Sequence, residues 1–237
     1  MNCGLSVNLL LNKPGFLMAA GGRENRLQQI LHQHRGQAYA RFRQSWGKLL
    51  PDPYLRDGGR YRLRRYSVFH WQRKHLTQLP HEPHYQSSYY NAVHGGFNRH
   101  FRAWQPTTVS NPVFRDIIRW SLAQFNTNPA QLWRIQAHQF RIVASVTEEG
   151  RPTPEGVHKD GADYILIMLL DRHNVAGGVS HIYDNAMQPL GSCTLSRSAD
   201  LLLVNDKRVY HGVTPILPED KTRKAWRDVL VLTFHRQ

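Results

Sequence analysis

The 237-residue chain carries a net charge of +14, with 41% hydrophobic and 20% charged residues, a balance that excludes a disordered polypeptide and suits one large domain with a substantial core. Its two cysteines, Cys3 and Cys193, are too few for a disulfide framework and point to a reducing cytoplasm. The apolar Leu9-Leu10-Leu11 has no basic n-region and is broken by Asn12-Lys13-Pro14, so it reads neither as a signal peptide nor as a membrane span.

Residues 21 to 50 are expected to form one or two helices, because Leu27, Ile30 and Leu31, then Tyr39, Phe42, Trp46 and Leu49 recur at helical spacing. Pro51-Asp52-Pro53 ends that pattern. From 58 to 72, Tyr61, Leu63, Tyr66, Val68 and His70 are interleaved with polar residues, which predicts a strand. It contains Arg60-Tyr61-Arg62-Leu63-Arg64-Arg65-Tyr66, in the half of the chain where fifteen Lys/Arg face four Asp/Glu. Such a segment suits a track for a phosphate backbone, with rings stacking on bases. It equally suits a strand whose arginines pair with acids or attract an anionic small molecule. Residues 80 to 100 are rich in His, Tyr, Asn, Gly and Pro and predict an irregular connection lying over something. Asn111-Pro112 then starts a second helix, with Val113, Ile117, Ile118, Leu122 and Phe125 on its apolar face.

From 133 onward the pattern is mostly β. Residues 137–144 alternate, 164–170 form a buried run, and 177–183, 199–204, 208–213 and 229–234 are further strand candidates. Short strands between turn signals suggest a sandwich or barrel. The expected organisation is a single, mainly β domain over 1–237, in which 1–130 supply a helical and irregular buttress plus the first strands and 131–237 the main core.

That β-rich part contains His158-Lys159-Asp160 and, several predicted strands later, His211. Two imidazoles and one carboxylate hold a ferrous ion on one face and leave the other free for a cosubstrate and dioxygen, whereas four thiolates would close it. The close pair fits an extended segment, where residues i and i+2 project to one side, and Asp160-Gly161 supplies turn chemistry beside it. His211 has to come from a strand brought alongside by the fold. With fourteen histidines in the chain, solvated or core-satisfied histidines are the alternative.

His158-x-Asp160, the strand stack, His211 and a basic residue leading the last strand together resemble the double-stranded β-helix (jelly-roll, cupin-like) core of the Fe(II)/2-oxoglutarate-dependent dioxygenases. More narrowly, four segments resemble the small bacterial family that hydroxylates free L-amino acids, typified by L-isoleucine hydroxylases. They are Arg62-Leu63-Arg64-Arg65-Tyr66-Ser67, Tyr89-Tyr90-Asn91-Ala92-Val93-His94-Gly95-Gly96, His158-Lys159-Asp160-Gly161, and Arg227-Asp228-Val229-Leu230-Val231-Leu232-Thr233-Phe234. The likeness runs from about residue 50 to the end.

The resemblance implies Fe(II) held by His158, Asp160 and His211, with 2-oxoglutarate as cosubstrate and O2 as oxidant. It implies hydroxylation of an aliphatic L-amino acid with release of succinate and CO2. The keto acid's distal carboxylate calls for a fixed cation, ideally a bidentate guanidinium; Arg227, opening the final strand, is the first choice and Arg223 the second. Arg141 lies mid-strand between Phe140 and Ile142, so it either pairs with a carboxylate or faces a cavity that holds an anion, with Gln139 on its face. Tyr164 and Thr233 are candidates to hydrogen-bond a bound carboxylate, against readings as a core tyrosine and a strand threonine. Asn91 falls where the family carries a lid-like region, and Asp206 is expected to form a turn. Two other readings stay open: the same oxygenase core acting on a nucleic acid or protein, and a non-catalytic cupin-like or nucleic-acid-binding module. A small-molecule partner is expected and a membrane is not, and oligomeric state is not legible.

Overall fold

In the computed structural model, which describes residues 7–19, 26–91, 93, 95–125 and 128–237, the strands are β1 (Phe16–Ala19), β2 (Leu50–Pro51), β3 (Arg62–Gln72), β4 (His75–Gln78), β5 (Trp133–Ala144), β6 (Tyr164–His173), β7 (Val175–Gly177), β8 (Val179–Asp184), β9 (Pro189–Thr194), β10 (Leu201–Asn205), β11 (Val209–Val213), β12 (Ile216–Pro218) and β13 (Ala225–Arg236). The helices are α1 (Val7–Asn12), α2 (Arg26–Gln44), α3 (Pro106–Val109) and α4 (Pro112–Gln124). An antiparallel sheet of eight strands runs β1-β10-β6-β13-β5-β3-β2, with β4 on β3, and small sheets β11-β8-β9 and β12-β7 complete the jelly-roll. Cys3 and the start of the helical stretch expected at 21–50 lie outside the described residues.

The central strands of the large sheet are buried on both faces, and residue parity decides which face meets what. Along β6, Leu166, Met168 and Leu170 join Leu31, Phe42 and Ile117 in a core between sheet and helices. Ile165, Ile167 and Leu169 point the other way, to a second core with Ile182 and Val209 of the small sheet. A strand flanked by apolar layers on both sides has no polar alternation to show, which is why 164–170 reads as an unbroken run. Helix α4 begins as its sequence demands: the Asn111 side chain accepts the Val113 N–H at 3.0 Å with Pro112 behind it, satisfying a donor that the first turn leaves free.

Several boundaries differ from expectation: β3 starts at Arg62 rather than 58, β5 at Trp133 rather than 137, and β13 runs Ala225–Arg236 rather than 229–234; three further differences have identifiable causes. The strand expected at 177–183 starts only at Val179, because Gly177 and Gly178 are both left-handed (φ +77° and +69°) and turn the chain from β7 into β8 of another sheet. Ala199 has φ +69°, so β10 begins at Leu201 rather than 199. The main core is also not confined to 131–237: β3 is hydrogen-bonded to β5 along ten register positions, Arg62↔Ile142 to Trp71↔Trp133, and β1 pairs with β10. Alternating strands find partners by face and length, not by proximity in sequence. Among the described residues no helix is long and apolar enough to cross a membrane.

Candidate metal centre and active-site cavity

Between the large sheet and the β11-β8-β9 sheet lies a cavity of about 320 Å³, of a size for small ligands. Its floor consists of the inward-facing residues of the large sheet: Arg62 and Arg64 of β3, His138 and Phe140 of β5, Arg227 and Val229 of β13. Opposite them stand His158, Asp160 and His211.

His158 and His211 form an antiparallel bridge in which each N–H donates to the other's carbonyl, at 2.9 and 3.0 Å. Their rings are 4.6 Å apart. Nδ1 of His158 donates to the Gly156 carbonyl at 3.0 Å, which turns Nε2 toward Asp160, 3.6 Å from Oδ1. Nε2 of His211 lies 3.6 Å from Asp160 Oδ2. One donor atom from each of the three lies within 4.8 Å of the others, and His211 Nδ1 is buried without a partner among the described residues.

Electrostatics tie the three together. Burial alone would raise Asp160, but the hydrogen bond and charge of His158, then His211 and His84, hold it below the usual carboxylate range. Burial opposes a charge on His158, yet Asp160 and then Glu155 outweigh it and push the imidazole up to about 10. His211 is lowered to about 4 by burial and by its neighbour His158. Two imidazoles and a carboxylate converging on one point, with a neutral His211 ready to donate a lone pair, fit a ferrous ion with open positions.

The backbone at Asp160 is itself held. Asp206, 2% exposed, accepts the N–H groups of Asp160 at 3.1 Å, Gly161 at 2.7 Å and Ala162 at 2.9 Å. Burial and the Asp160 charge raise Asp206 to about 6 against the pull of those three donors. Asp206 lies in the turn expected there, closed by the Arg208 N–H donating to the Asn205 carbonyl at 3.0 Å, and its side chain additionally holds the Asp160 segment. Gly161 is left-handed at φ +80°, and a Cβ there would lie 2.7 Å from the Tyr90 ring.

Of the residues singled out for a carboxylate, Arg227 and Thr233 line the cavity, whereas Arg141, Tyr164 and Arg223 do not. Arg227 is 1% exposed, and its Nε and one terminal nitrogen are buried with no hydrogen-bond partner among the described residues. Burial, then Arg172, lowers it to about 10. Arg141 sits at the wrong parity on β5 and makes a two-pronged ion pair with Asp228, at 2.7 Å for each prong; its face-mate Gln139 donates to Ser45 Oγ at 2.8 Å. Tyr164 points to the helix side and stacks on Phe125, with ring centroids 4.0 Å apart. Arg223 is exposed in the loop before β13. Asn91, 5% exposed, lies at the cavity mouth and donates to Gln86 Oε1 at 3.1 Å.

Sequence reasoning missed further cavity-lining residues: His84, Arg99 and His138, and Glu155, which stands beside His158. The parity of Arg62, Arg64 and Tyr66 on β3 carried part of that signal. The rest depends on the His84↔Arg99 bridge, which no periodicity announces.

The family model for 2OG-Fe dioxygenase matches residues 43–233. An L-isoleucine-4-hydroxylase from Bacillus thuringiensis is 29% identical over 154 residues, 63% of this chain. The match spans 64% of that relative's length. A 3(1)-hydroxy-L-isoleucine 4-dioxygenase from Pantoea ananatis is 26% identical over 200 residues, covering 82% of this chain and 79% of that one. A crystal structure of a BsmA homologue from Methylobium petroleophilum superposes with a TM-score of 0.84 at 32% identity, covering 97% of this chain and 91% of the other.

Proposed function

Because the chain belongs to the 2OG-Fe dioxygenase family, we propose that it hydroxylates an unactivated C–H bond of a free, aliphatic L-amino acid, converting 2-oxoglutarate and O2 to succinate and CO2. The observation that carries this reading is one cavity holding both a two-histidine, one-carboxylate cluster and the buried nitrogens of Arg227 that have no partner among the described residues. His158, Asp160 and His211 would hold the iron. When bound, the iron supplies activation of dioxygen coupled to oxidative decarboxylation of the keto acid, and one oxygen atom ends in the hydroxyl group.

The remaining work falls to the chain. Arg227 would take the distal carboxylate of the keto acid, where charge-assisted hydrogen bonds to a guanidinium in a dry site are strong and fix orientation. Thr233 on the same face would offer a hydroxyl. Ile167, Val229 and Val231 keep water from this side, and placement of the substrate carbon is then a matter of geometry. The names of the Bacillus and Pantoea relatives support an isoleucine-like substrate. Arg62 and Arg64 are 6% and 3% exposed, so they are turned away from the surface that a polymer's phosphates would touch.

Succinate formation measured across the twenty L-amino acids, with Fe(II), 2-oxoglutarate and O2, tests this. Turnover is expected with Ile, Leu or Met. Turnover only with a polymer, or none without a visible keto acid band on anaerobic iron addition, overturns it.

A further inference from the structure

The wall facing the metal from the β3 side is over-supplied with buried cations. Arg62 donates to Asp52 at 2.7 Å, and Arg64 reaches the same Asp52 oxygen at 3.6 Å. Among the described residues Arg99 has no carboxylate within ion-pair distance; it meets His84 Nδ1 at 2.8 Å and Gln86 Oε1 at 3.4 Å. Arg64 similarly meets His138 Nδ1 at 2.6 Å, and its guanidinium lies between the rings of Phe101 (3.6 Å to the centroid) and Phe140 (4.5 Å). Burial, then Arg64, keeps both imidazoles far below their ordinary value and hence neutral, so each accepts through Nδ1. The Nε atoms of Arg64 and Arg99 remain buried and without a partner among the described residues. A buried donor left open in this way is costly unless something fills it.

Glu155 is the complementary feature. Its Oε1 lies 3.4 Å from His158 Nε2, the nitrogen that faces the metal position, so the carboxylate stands on the open side of the centre and not behind it. Its Oε2 is buried with no partner among the described residues. One open carboxylate oxygen and two open guanidinium N–H groups, without partners among the described residues and in the same cavity, match an ammonium and a carboxylate on one small molecule.

We infer that Arg64 and Arg99 bind the α-carboxylate, and Glu155 the α-ammonium, of a zwitterionic amino acid, so that the site admits only substrates with both ends free. This rests on the amino acid hydroxylase reading above and names the residues that would impose it. Neutral His84 and His138 act as spacers: they orient the guanidinium groups without neutralising them as a carboxylate would. The clamp holds the α-carbon beside the metal position and leaves the side chain to the apolar lining of Ile142, Val213 and Pro152.

The test uses the full chain with Fe(II) and 2-oxoglutarate under anaerobic conditions, titrated by calorimetry with L-isoleucine, N-acetyl-L-isoleucine, L-isoleucinamide and the corresponding 2-hydroxy acid. Removing one charge-assisted partner is expected to weaken binding on the order of tenfold to a hundredfold. Capping either end of L-isoleucine should therefore lose at least that factor. Glu155→Gln should bind L-isoleucine that much more weakly, yet bind the 2-hydroxy acid as the parent chain does, while Arg99→Gln should weaken both. Capped ligands that bind as tightly as L-isoleucine overturn the clamp without needing any variant to fold. So does a Glu155→Gln chain whose keto acid–iron absorbance band is lost, since Glu155 then serves the metal. Zwitterion-selective binding without succinate formation leaves the clamp standing and sinks the hydroxylase reading; succinate formation from free and capped amino acids alike does the reverse.

Discussion

The carboxylate of Asp206 grips the backbone of Asp160: it accepts that residue's N–H at 3.1 Å and those of the next two residues at 2.7 and 2.9 Å. A ligand's position is thus set by a second buried acid that never needs to touch the metal. Outer contacts of this kind are typically worth 10- to 100-fold in metal affinity. Asp206→Ala is expected to weaken Fe(II) binding by about that factor, read by titrating the keto acid–iron band, while the circular dichroism spectrum stays that of the parent. Unchanged iron affinity would remove Asp206 from the site.

Arg227 should govern the cosubstrate and not the iron. Truncating one partner of a buried charge pair costs about 2–5 kcal/mol, so Arg227→Ala should raise the KM for 2-oxoglutarate about thirtyfold or more with little change in the Kd for iron. Arg223→Ala, on the exposed loop, should leave both constants as they were. A large effect at Arg223 would reverse the assignment.

Gly161 occupies a left-handed backbone position with the Tyr90 ring where a Cβ would stand. Gly161→Ala therefore combines about 1–2 kcal/mol of backbone strain with displacement of Tyr90. Thermal unfolding should occur at lower temperature, and proteolysis near Tyr89 should become faster. A variant as stable as the parent would show that the segment over the site yields freely.

Asp52 offsets two buried arginines, and its loss should be felt in stability and pH response together. Burial alone would raise its pKa, but Arg64 and Arg62 outweigh that and hold it below 3.8. A lowered carboxylate contributes stability that is fully present above 3.8 and is lost as pH falls through the lower folded value. Asp52→Asn leaves buried charge uncompensated, which is destabilising by about 3–5 kcal/mol. Urea unfolding at pH 7 should show that loss, and the difference from the parent should shrink on acidification toward pH 3. A constant difference across pH would place the effect in packing.

What the sequence made legible follows from what periodicity encodes. The unbroken run at 164–170, the alternation at 137–144 and the His158-x-Asp160 spacing each reflect a local constraint, so strand identity and the three side chains that converge, His158, Asp160 and His211, could be read from the chain. Parity relative to the cavity could not. Arg141 and Arg227 look alike as arginines in apolar strands, yet one faces the helix side against Asp228 and the other faces the cavity. The partner that distinguishes Arg141 is 87 positions away. His84 and Arg99 escaped notice for the same reason, since a single bridge in an irregular segment brings them to the site.

The two-faced sheet separates two kinds of evolutionary freedom. Along β13, Leu230, Leu232 and Phe234 belong to the helix-side core while Val229, Val231 and Thr233 face the cavity, where Ile167 of β6 joins them. Changing Ile167, Val229 or Val231 reshapes the space beside the metal while Leu166, Leu230 and Leu232 keep the helices seated. Selectivity can therefore drift one residue at a time on a scaffold whose fold is maintained by the residues in between, so new substrates are reachable without first rebuilding the protein.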